Sequence, residues 1–125
     1  MAMFDRNFFA TAAVMACTAA GPALADCRSG GTRFHFTDPA PVAAVYESDG
    51  AACRHNFHAG ALGSLTSASI IAKPQHGALS QTRNFAFVYT PTKGFKGIDA
   101  YSVKVCGSDR QGAGCATIAY STTIK

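Results

Sequence analysis

The sequence predicts an all-β domain, an antiparallel β-sandwich of about seven short strands held by disulfides. The first observation is that runs alternating between apolar and polar residues recur along the chain, each bounded by Gly, Pro, Asn, Asp or Ser. The second is that no segment is a convincing amphipathic helix, since even residues 59–63 contain two glycines. The third is an even set of four cysteines after a predicted export signal, which indicates a disulfide framework.

The N-terminal residues 1–25 have the pattern of a cleaved secretory signal peptide. A weakly positive start precedes an apolar run at residues 8–20, and Ala23-Leu24-Ala25 forms an A-x-A cleavage motif. The run is too short to span a bilayer, and no transmembrane segment is predicted after it. We therefore expect an exported protein, periplasmic or secreted, with residues 26–125 as a single domain. A lipoprotein anchored through Cys17 is the weaker alternative.

Two structural disulfides are predicted in this domain. Its four cysteines are Cys27, Cys53, Cys106 and Cys115. Of the three possible pairings we favour Cys27–Cys53 with Cys106–Cys115, because each closes a loop within one half of the domain. A chain-entropy model gives about 3.5 kcal/mol for the longer loop and about 2.7 kcal/mol for the shorter. No C-x-x-C pair is present to nucleate a metal site, so no metal and no cofactor are predicted.

Eight segments have strand character. They are residues 32–37, 42–47, 53–58, 66–72, 78–81, 84–90, 100–106 and 115–124. Period-two alternation predicts that the following side chains share core faces: Phe85, Phe87, Tyr89, Tyr101, Val103 and Val105. The turn signal at residues 108–112 joins the last two strands into a hairpin.

Three short motifs follow one another between Lys73 and Val105. They are Pro74-x-His76-Gly77, Tyr89-x-Pro91 and Gly94-Phe95-x-Gly97-x-Asp99-x-Tyr101. In this order and spacing, the segment resembles the bacterial Ig-like, cadherin-like domain that is repeated in large surface adhesins. The resemblance covers the C-terminal half of residues 26–125. It implies an Ig-like antiparallel β-sandwich, with adhesion or spacing as its role.

The motif residues also have structural interpretations. Proline lacks an amide donor, so Pro74 and Pro91 are expected to end strands, and Gly77 to permit a turn with positive φ. Phe95 is expected to close one end of the sandwich as an apolar plug. The carboxylate of Asp99 is expected to accept backbone N–H bonds in the turn.

Two features depart from the family pattern. The family occurs as tandem repeats in very long chains, and residues 26–72 lack a clear family motif. The family also commonly has an acidic residue after the strand that corresponds to residues 101–105, where it can contribute to calcium binding. Here that neighbourhood reads Val105-Cys106-Gly107, with Asp109 displaced, so no calcium site is predicted.

No catalytic constellation is visible. The motifs G-x-S-x-G, S-x-x-K and H-E-x-x-H are absent, so the protein is predicted not to be an enzyme. His55 and His58 are close in sequence, but on a strand an i, i+3 pair points to opposite faces and cannot converge on one ion. Surface or hydrogen-bonded histidines are the ordinary interpretation, and His76 is expected to form a structural hydrogen bond in its turn.

The charge is distributed unevenly. Residues 26–72 carry three basic and four acidic side chains, whereas residues 73–125 carry seven basic and two acidic ones. A solvated surface explains this asymmetry, but a basic half also favours an anionic partner. Lys93 and Lys96 flank Phe95, which makes this loop the candidate contact surface. Nucleic acid is not expected, because the protein is predicted to be exported and lacks an aromatic–basic ladder.

Taken together, these observations predict an exported, non-enzymatic module for binding, adhesion or structure in the cell envelope. Its partner would be a protein or glycan of the envelope. The alternative is an exported polyanion-binding protein, or an enzyme inhibitor that docks its basic loop into an acidic cleft.

Overall fold

The computed structural model describes residues 26–29 and 32–125, which form eight β-strands and contain no helix that could cross a membrane. The strands are β1 (Cys27–Ser29), β2 (Val42–Ser48), β3 (Cys53–Asn56), β4 (Ser64–Ala72), β5 (Gly77–Arg83), β6 (Ala86–Pro91), β7 (Gly97–Asp109) and β8 (Gly112–Ile124). The all-β prediction is confirmed. The predicted signal peptide, including Cys17, lies outside the described residues.

The strands form two sheets. One has five strands in the order β1-β2-β8-β7-β4, and the other has three in the order β3-β6-β5. All neighbouring pairs are antiparallel except β2 with β8, which run parallel from Val42 opposite Ile118 to Ser48 opposite Ile124. This parallel pair differs from the expected wholly antiparallel arrangement. No hairpin joins β2 to β8, so chain connectivity does not impose an antiparallel pairing on them.

The two sheets enclose one core. Its buried apolar side chains on the central strands are Phe87, Tyr89, Tyr101, Val103, Val105, Ala116, Ile118, Tyr120 and Ile124. The predicted core faces of β6 and β7 are thus confirmed, apart from Phe85, which precedes β6 and is half-buried. Alternation decides burial here because successive side chains of a strand point to opposite faces of its sheet.

Both disulfides have the favoured pairing. Cys27–Cys53 connects β1 of the five-stranded sheet to β3 of the three-stranded sheet, and its Cα atoms are 5.3 Å apart. Cys106 and Cys115 lie opposite each other in the β7–β8 ladder and are bonded directly across it. Two disulfides are typical of proteins that fold in an oxidising, exported compartment.

The predicted strand at residues 32–37 is wrong. This segment is an irregular connection across the upper end of the sandwich, where the β7–β8 hairpin turns. Its alternation arises because Phe34 and Phe36 both pack against the core from the loop. A local turn holds it: the Asp38 N–H donates to the His35 carbonyl at 3.0 Å, and the His35 N–H donates to Asp38 Oδ2 at 2.8 Å. Alternation of apolar and polar residues shows that one side of a segment is buried. A loop that covers the end of a sandwich can have the same pattern as a strand.

Strand β1 was not predicted, because three residues are too few to show a period. Its place is decided by tertiary contacts, namely the Cys27–Cys53 disulfide and pairing with β2 from Cys27 opposite Ser48 to Ser29 opposite Tyr46. The lower end of the sandwich, where β6 ends and β7 begins, contains most of the sequence motifs.

Candidate functional site

Asp99 is the hub of the motif residues at the lower end. It lies near the start of β7 and is 2% exposed. Its carboxylate accepts hydrogen bonds from the backbone N–H groups of Gln75, His76 and Ala100 at 3.0 to 3.1 Å. The Tyr89 hydroxyl donates to the same carboxylate at 2.6 Å. Asp99 therefore ties the β4–β5 loop and β6 to β7, and two of its backbone donors come from a loop that is distant in sequence.

Burial and this hydrogen bonding together keep Tyr89 in its protonated form. Burial, and then the hydrogen bond to Asp99, raise the pKa of the Tyr89 phenol. The ring also stacks on Tyr101, with centroids 4.5 Å apart. Tyr89, Tyr101 and Asp99 are thus occupied by packing and hydrogen bonding within the fold.

Glycine is needed at position 77 because there is no room for a side chain, and not because the backbone has a positive φ. The expected positive φ at Gly77 is wrong, since the positive-φ glycines of the described residues lie elsewhere. A Cβ at this position would come within 2.6 Å of both the Thr90 carbonyl oxygen and the Tyr89 ring. The glycine therefore lets β5 approach β6 closely above the Tyr89 side chain.

Phe95 forms a stacked pair with His76. The two ring centroids are 4.1 Å apart and the planes differ by 5°. The loop is held by the Thr92 N–H, which donates to the His76 carbonyl at 2.8 Å, and by the Phe95 N–H, which donates to the Thr92 carbonyl at 3.0 Å. Gly94 and Gly97, on either side of Phe95, have φ values of 84° and 137°. Phe95 is half-buried and packs against the core, the position expected of an apolar plug.

Lys93 and Lys96 are both exposed beside this stacked pair. We call residues 93–96 the lower loop. The structure brings His76 to the lower loop from the β4–β5 connection, a contact that the sequence spacing did not predict. Two exposed lysines thus stand on either side of Phe95 in the sequence of a loop that carries a stacked ring pair, a combination suited to an acidic or aromatic group of a partner.

His55 is a core residue. It is 2% exposed, and its Nε2 lies 2.7 Å from the Tyr101 hydroxyl, which in turn lies 2.9 Å from the Thr122 hydroxyl. The ring stacks on Tyr120 with centroids 4.0 Å apart. Burial lowers the pKa of His55 to about 4, so the imidazole is neutral at pH 7. Its Nδ1 is buried without a hydrogen-bond partner among the described residues.

The His55/His58 pair does not converge. His55 faces the core from β3, whereas His58 lies beyond the strand and is exposed. Within residues 26–29 and 32–125, no group of three or more His, Cys, Asp or Glu side chains could hold a metal ion.

Sequence reasoning missed a polar contact at the upper end. The His35 ring Nδ1 and Asp109 Oδ2 are 3.2 Å apart, although the two residues are 74 positions apart in sequence. Asp109 also accepts the N–H of Gln111 at 2.8 Å and of Phe36 at 3.4 Å. Since these contacts join the irregular connection to the β7–β8 turn, no local pattern could have revealed them.

These observations define a two-sheet, disulfide-bonded β-sandwich whose motif residues stabilise its lower end. No family model matches the chain, and no curated protein or solved structure matches it.

Proposed function

We propose that this chain is an exported, non-enzymatic Ig-like domain that binds a protein or glycan partner in the cell envelope. The observation that carries the proposal is that the polar motif residues form hydrogen bonds inside the fold. The reactive groups of Asp99, Tyr89 and Tyr101 are occupied by hydrogen bonds inside the fold, and His55 is buried and bonded to Tyr101. A domain whose polar groups stabilise its architecture is suited to presenting a surface.

The strand order supports the Ig-like part of the proposal. Immunoglobulin-type sandwiches have B-E-D strands in one sheet and C-F-G strands in the other. If β3 to β8 are matched in order to B to G, the sheet orders β3-β6-β5 and β4-β7-β8 are those two sets. Strand β2 then lies beside β8, the last strand of the C-F-G sheet, and β1 lies beyond β2 at the sheet edge.

The lower loop is the contact surface that we favour. Its Lys93 and Lys96 side chains are exposed on either side of Phe95. The loop is held by one backbone hydrogen bond from Thr92 to His76 and one from Phe95 to Thr92. A contact surface held in one conformation loses little conformational entropy when a partner binds.

The test is capture of partners from an envelope extract with the purified protein as bait. Lys93→Glu/Lys96→Glu should abolish capture of a specific partner. Lys104→Glu/Arg110→Glu is the matched control, since it makes the same change in charge at exposed positions away from the lower loop, and it should retain the partner. Capture that is the same for both variants would contradict the role of the lower loop.

The alternative is a polyanion-binding protein or an enzyme inhibitor that uses the same basic loop. The excess of basic residues in the C-terminal half favours it. Repeating the capture at low and high salt separates the two proposals. Binding that collapses with salt supports the polyanion binder, because screening weakens attraction between exposed charges, whereas salt-insensitive capture supports the binding module.

A further inference from the structure

An exposed cleft of about 630 Å³ lies on the outer face of the three-stranded sheet, towards the upper end. Its volume falls within the range of ligand sites in proteins. Arg54 and Asn56 of β3, Ala86 and Val88 of β6, and Arg83 of β5 contribute to its lining. We call this the arginine cleft.

A β-bulge brings Arg83 to this face. In the β5–β6 ladder Gln81 pairs with Phe87, which points into the core, and the next pair is Arg83 with Ala86. Regular alternation would place Thr82 opposite Ala86 and turn Arg83 to the other face of the sheet. The additional residue redirects the arginine to the outer face, as bulges commonly do for single side chains.

The two arginines flank a short apolar floor. Asn56, Ala86 and Arg83 form one cross-strand row, and Arg54 lies opposite Val88 in the next. Since β3 and β5 are separated by β6, the strands bearing Arg54 and Arg83 are about 10 Å apart. The cleft thus has a cationic group at each side and small side chains between them.

Hydrogen bonds hold both sides of the cleft in place. The Gln81 amide donates to the carbonyls of Asn84 at 2.9 Å and Ala68 at 3.1 Å, which secures the β5–β6 turn. The Phe57 N–H donates to the Phe85 carbonyl at 2.9 Å and ties the end of β3 to the same turn. The shape of the cleft is therefore present before any ligand binds.

The charge of the cleft is positive and uncompensated. Arg54 and Arg83 line it, and no carboxylate does. Neither arginine forms an ion pair with another of the described residues. A complementary ligand would have more than one anionic group spaced along an extended body that fits over the apolar floor.

We propose that the arginine cleft binds an acidic oligosaccharide, a chain of sugars bearing carboxylate or sulfate groups. Guanidinium groups bind such anions through paired, charge-assisted hydrogen bonds. The side-chain amides of Asn56 and Asn84 both donate and accept hydrogen bonds, which suits sugar hydroxyls. The half-buried rings of Phe57 and Phe85 offer apolar surface to a sugar face. This goes beyond the proposed function, since it assigns a ligand class to a site at the other end of the sandwich from the lower loop.

Titration calorimetry of the purified protein tests the proposal with oligogalacturonate, sulfated dextran oligosaccharide and neutral dextran. The two acidic chains should bind and neutral dextran should not, and monomeric galacturonate should bind at least about tenfold more weakly than its oligomer. Arg54→Gln and Arg83→Gln should each weaken binding by about tenfold or more. The matched control, Lys104→Gln on the outer face of the five-stranded sheet, removes the same charge and should weaken it less than about twofold.

Several results would overturn the proposal. If Lys104→Gln weakened binding as much as the two arginine variants do, the acidic chains would be held by the overall positive charge of the protein and not by the cleft. Loss of binding in Lys93→Gln/Lys96→Gln with retention in the arginine variants would place the site at the lower loop instead. Binding of poly-glutamate as tight as that of oligogalacturonate would indicate an acidic protein partner. Amide chemical-shift changes in the wild-type protein provide a readout independent of variants. They should centre on β3, β6 and the end of β5, and changes confined to the strands of the other sheet would contradict the cleft.

Discussion

Replacing His55 with glutamine is predicted to change how the free energy of unfolding depends on pH. In the folded protein the imidazole is 2% exposed, and burial lowers its pKa to about 4. In the unfolded chain the same group titrates near its ordinary value of 6.5. As the pH falls through this interval, the unfolded chain takes up a proton that the folded chain does not, so acidification favours unfolding.

The size of this effect follows from the two pKa values. Each pKa unit corresponds to about 1.4 kcal/mol, so His55 alone accounts for about 3 kcal/mol of pH-dependent stability. This contribution is fully present above pH 6.5, falls as the pH drops and levels off below about pH 4. Since domains are stable by about 5–15 kcal/mol, the loss is a large fraction of the total.

The assay is guanidinium chloride unfolding without reductant at a series of pH values from 7.5 to 4.5. Over this range the wild-type protein should lose about 2 to 3 kcal/mol more than His55→Gln does. The comparison uses the change with pH, so any loss of packing common to all pH values cancels. His58→Gln is the matched control, because His58 is exposed, and it should retain the wild-type dependence on pH.

Two results would refute this reasoning. One is a His55→Gln variant whose stability depends on pH as the wild type does. The other comes from NMR titration of the native protein, which needs no variant. The ring resonances of His55 should not move between pH 7 and pH 5.5, and titration near pH 6.5 would show that the imidazole is accessible to solvent.

Three further predictions concern stability. Asp99→Ala should lower the free energy of unfolding, measured with denaturant, by at least about 3 kcal/mol, because the N–H groups of Gln75 and His76 and the Tyr89 hydroxyl lose their acceptor. A decrease of less than about 0.5 kcal/mol would contradict the central role of Asp99. Gly77→Ala should lower the melting temperature, because the added Cβ would meet backbone and ring atoms. Gly60→Ala is the control and should not lower it, because no atom lies within 4 Å of the added Cβ. Equal melting temperatures of the two variants would contradict the close packing at Gly77. Replacing both cysteines of the Cys27–Cys53 disulfide with alanine should lower the free energy of unfolding by about 3.5 kcal/mol. Mass spectrometry of unreduced fragments checks the connectivity, and a crossed pairing of the cysteines would contradict it.

Local patterns were sufficient for much of the fold. Period-two alternation identified the buried faces of β6 and β7, because the pleat alone decides which side chains point together. The same rule failed at residues 32–37, where Phe34 and Phe36 reach the core from a loop. Alternation is evidence of burial on one side and not of hydrogen-bonded pairing.

The candidate sites depended more on distant contacts. The sequence identified Lys93 and Lys96 beside Phe95, but not the stacking of His76 on that ring. It identified Asp99 as an acceptor, but its donor Gln75 is 24 positions away. The arginine cleft was missed because Arg54 and Arg83 lie on different strands and share a face through a bulge, which neither composition nor spacing reveals.

By itself, the sequence determined the all-β class and the inward faces of the central strands, and it favoured the observed pairing of the disulfides among three possible ones. The class and the faces follow from the alternation of neighbouring residues, which local chain geometry converts directly into structure. Only the tertiary structure decided the parallel pairing of β2 with β8, the burial of His55 against Tyr101 and the placing of two arginines on one face. Those features depend on which strands become neighbours, and that is decided by the packing of the whole core.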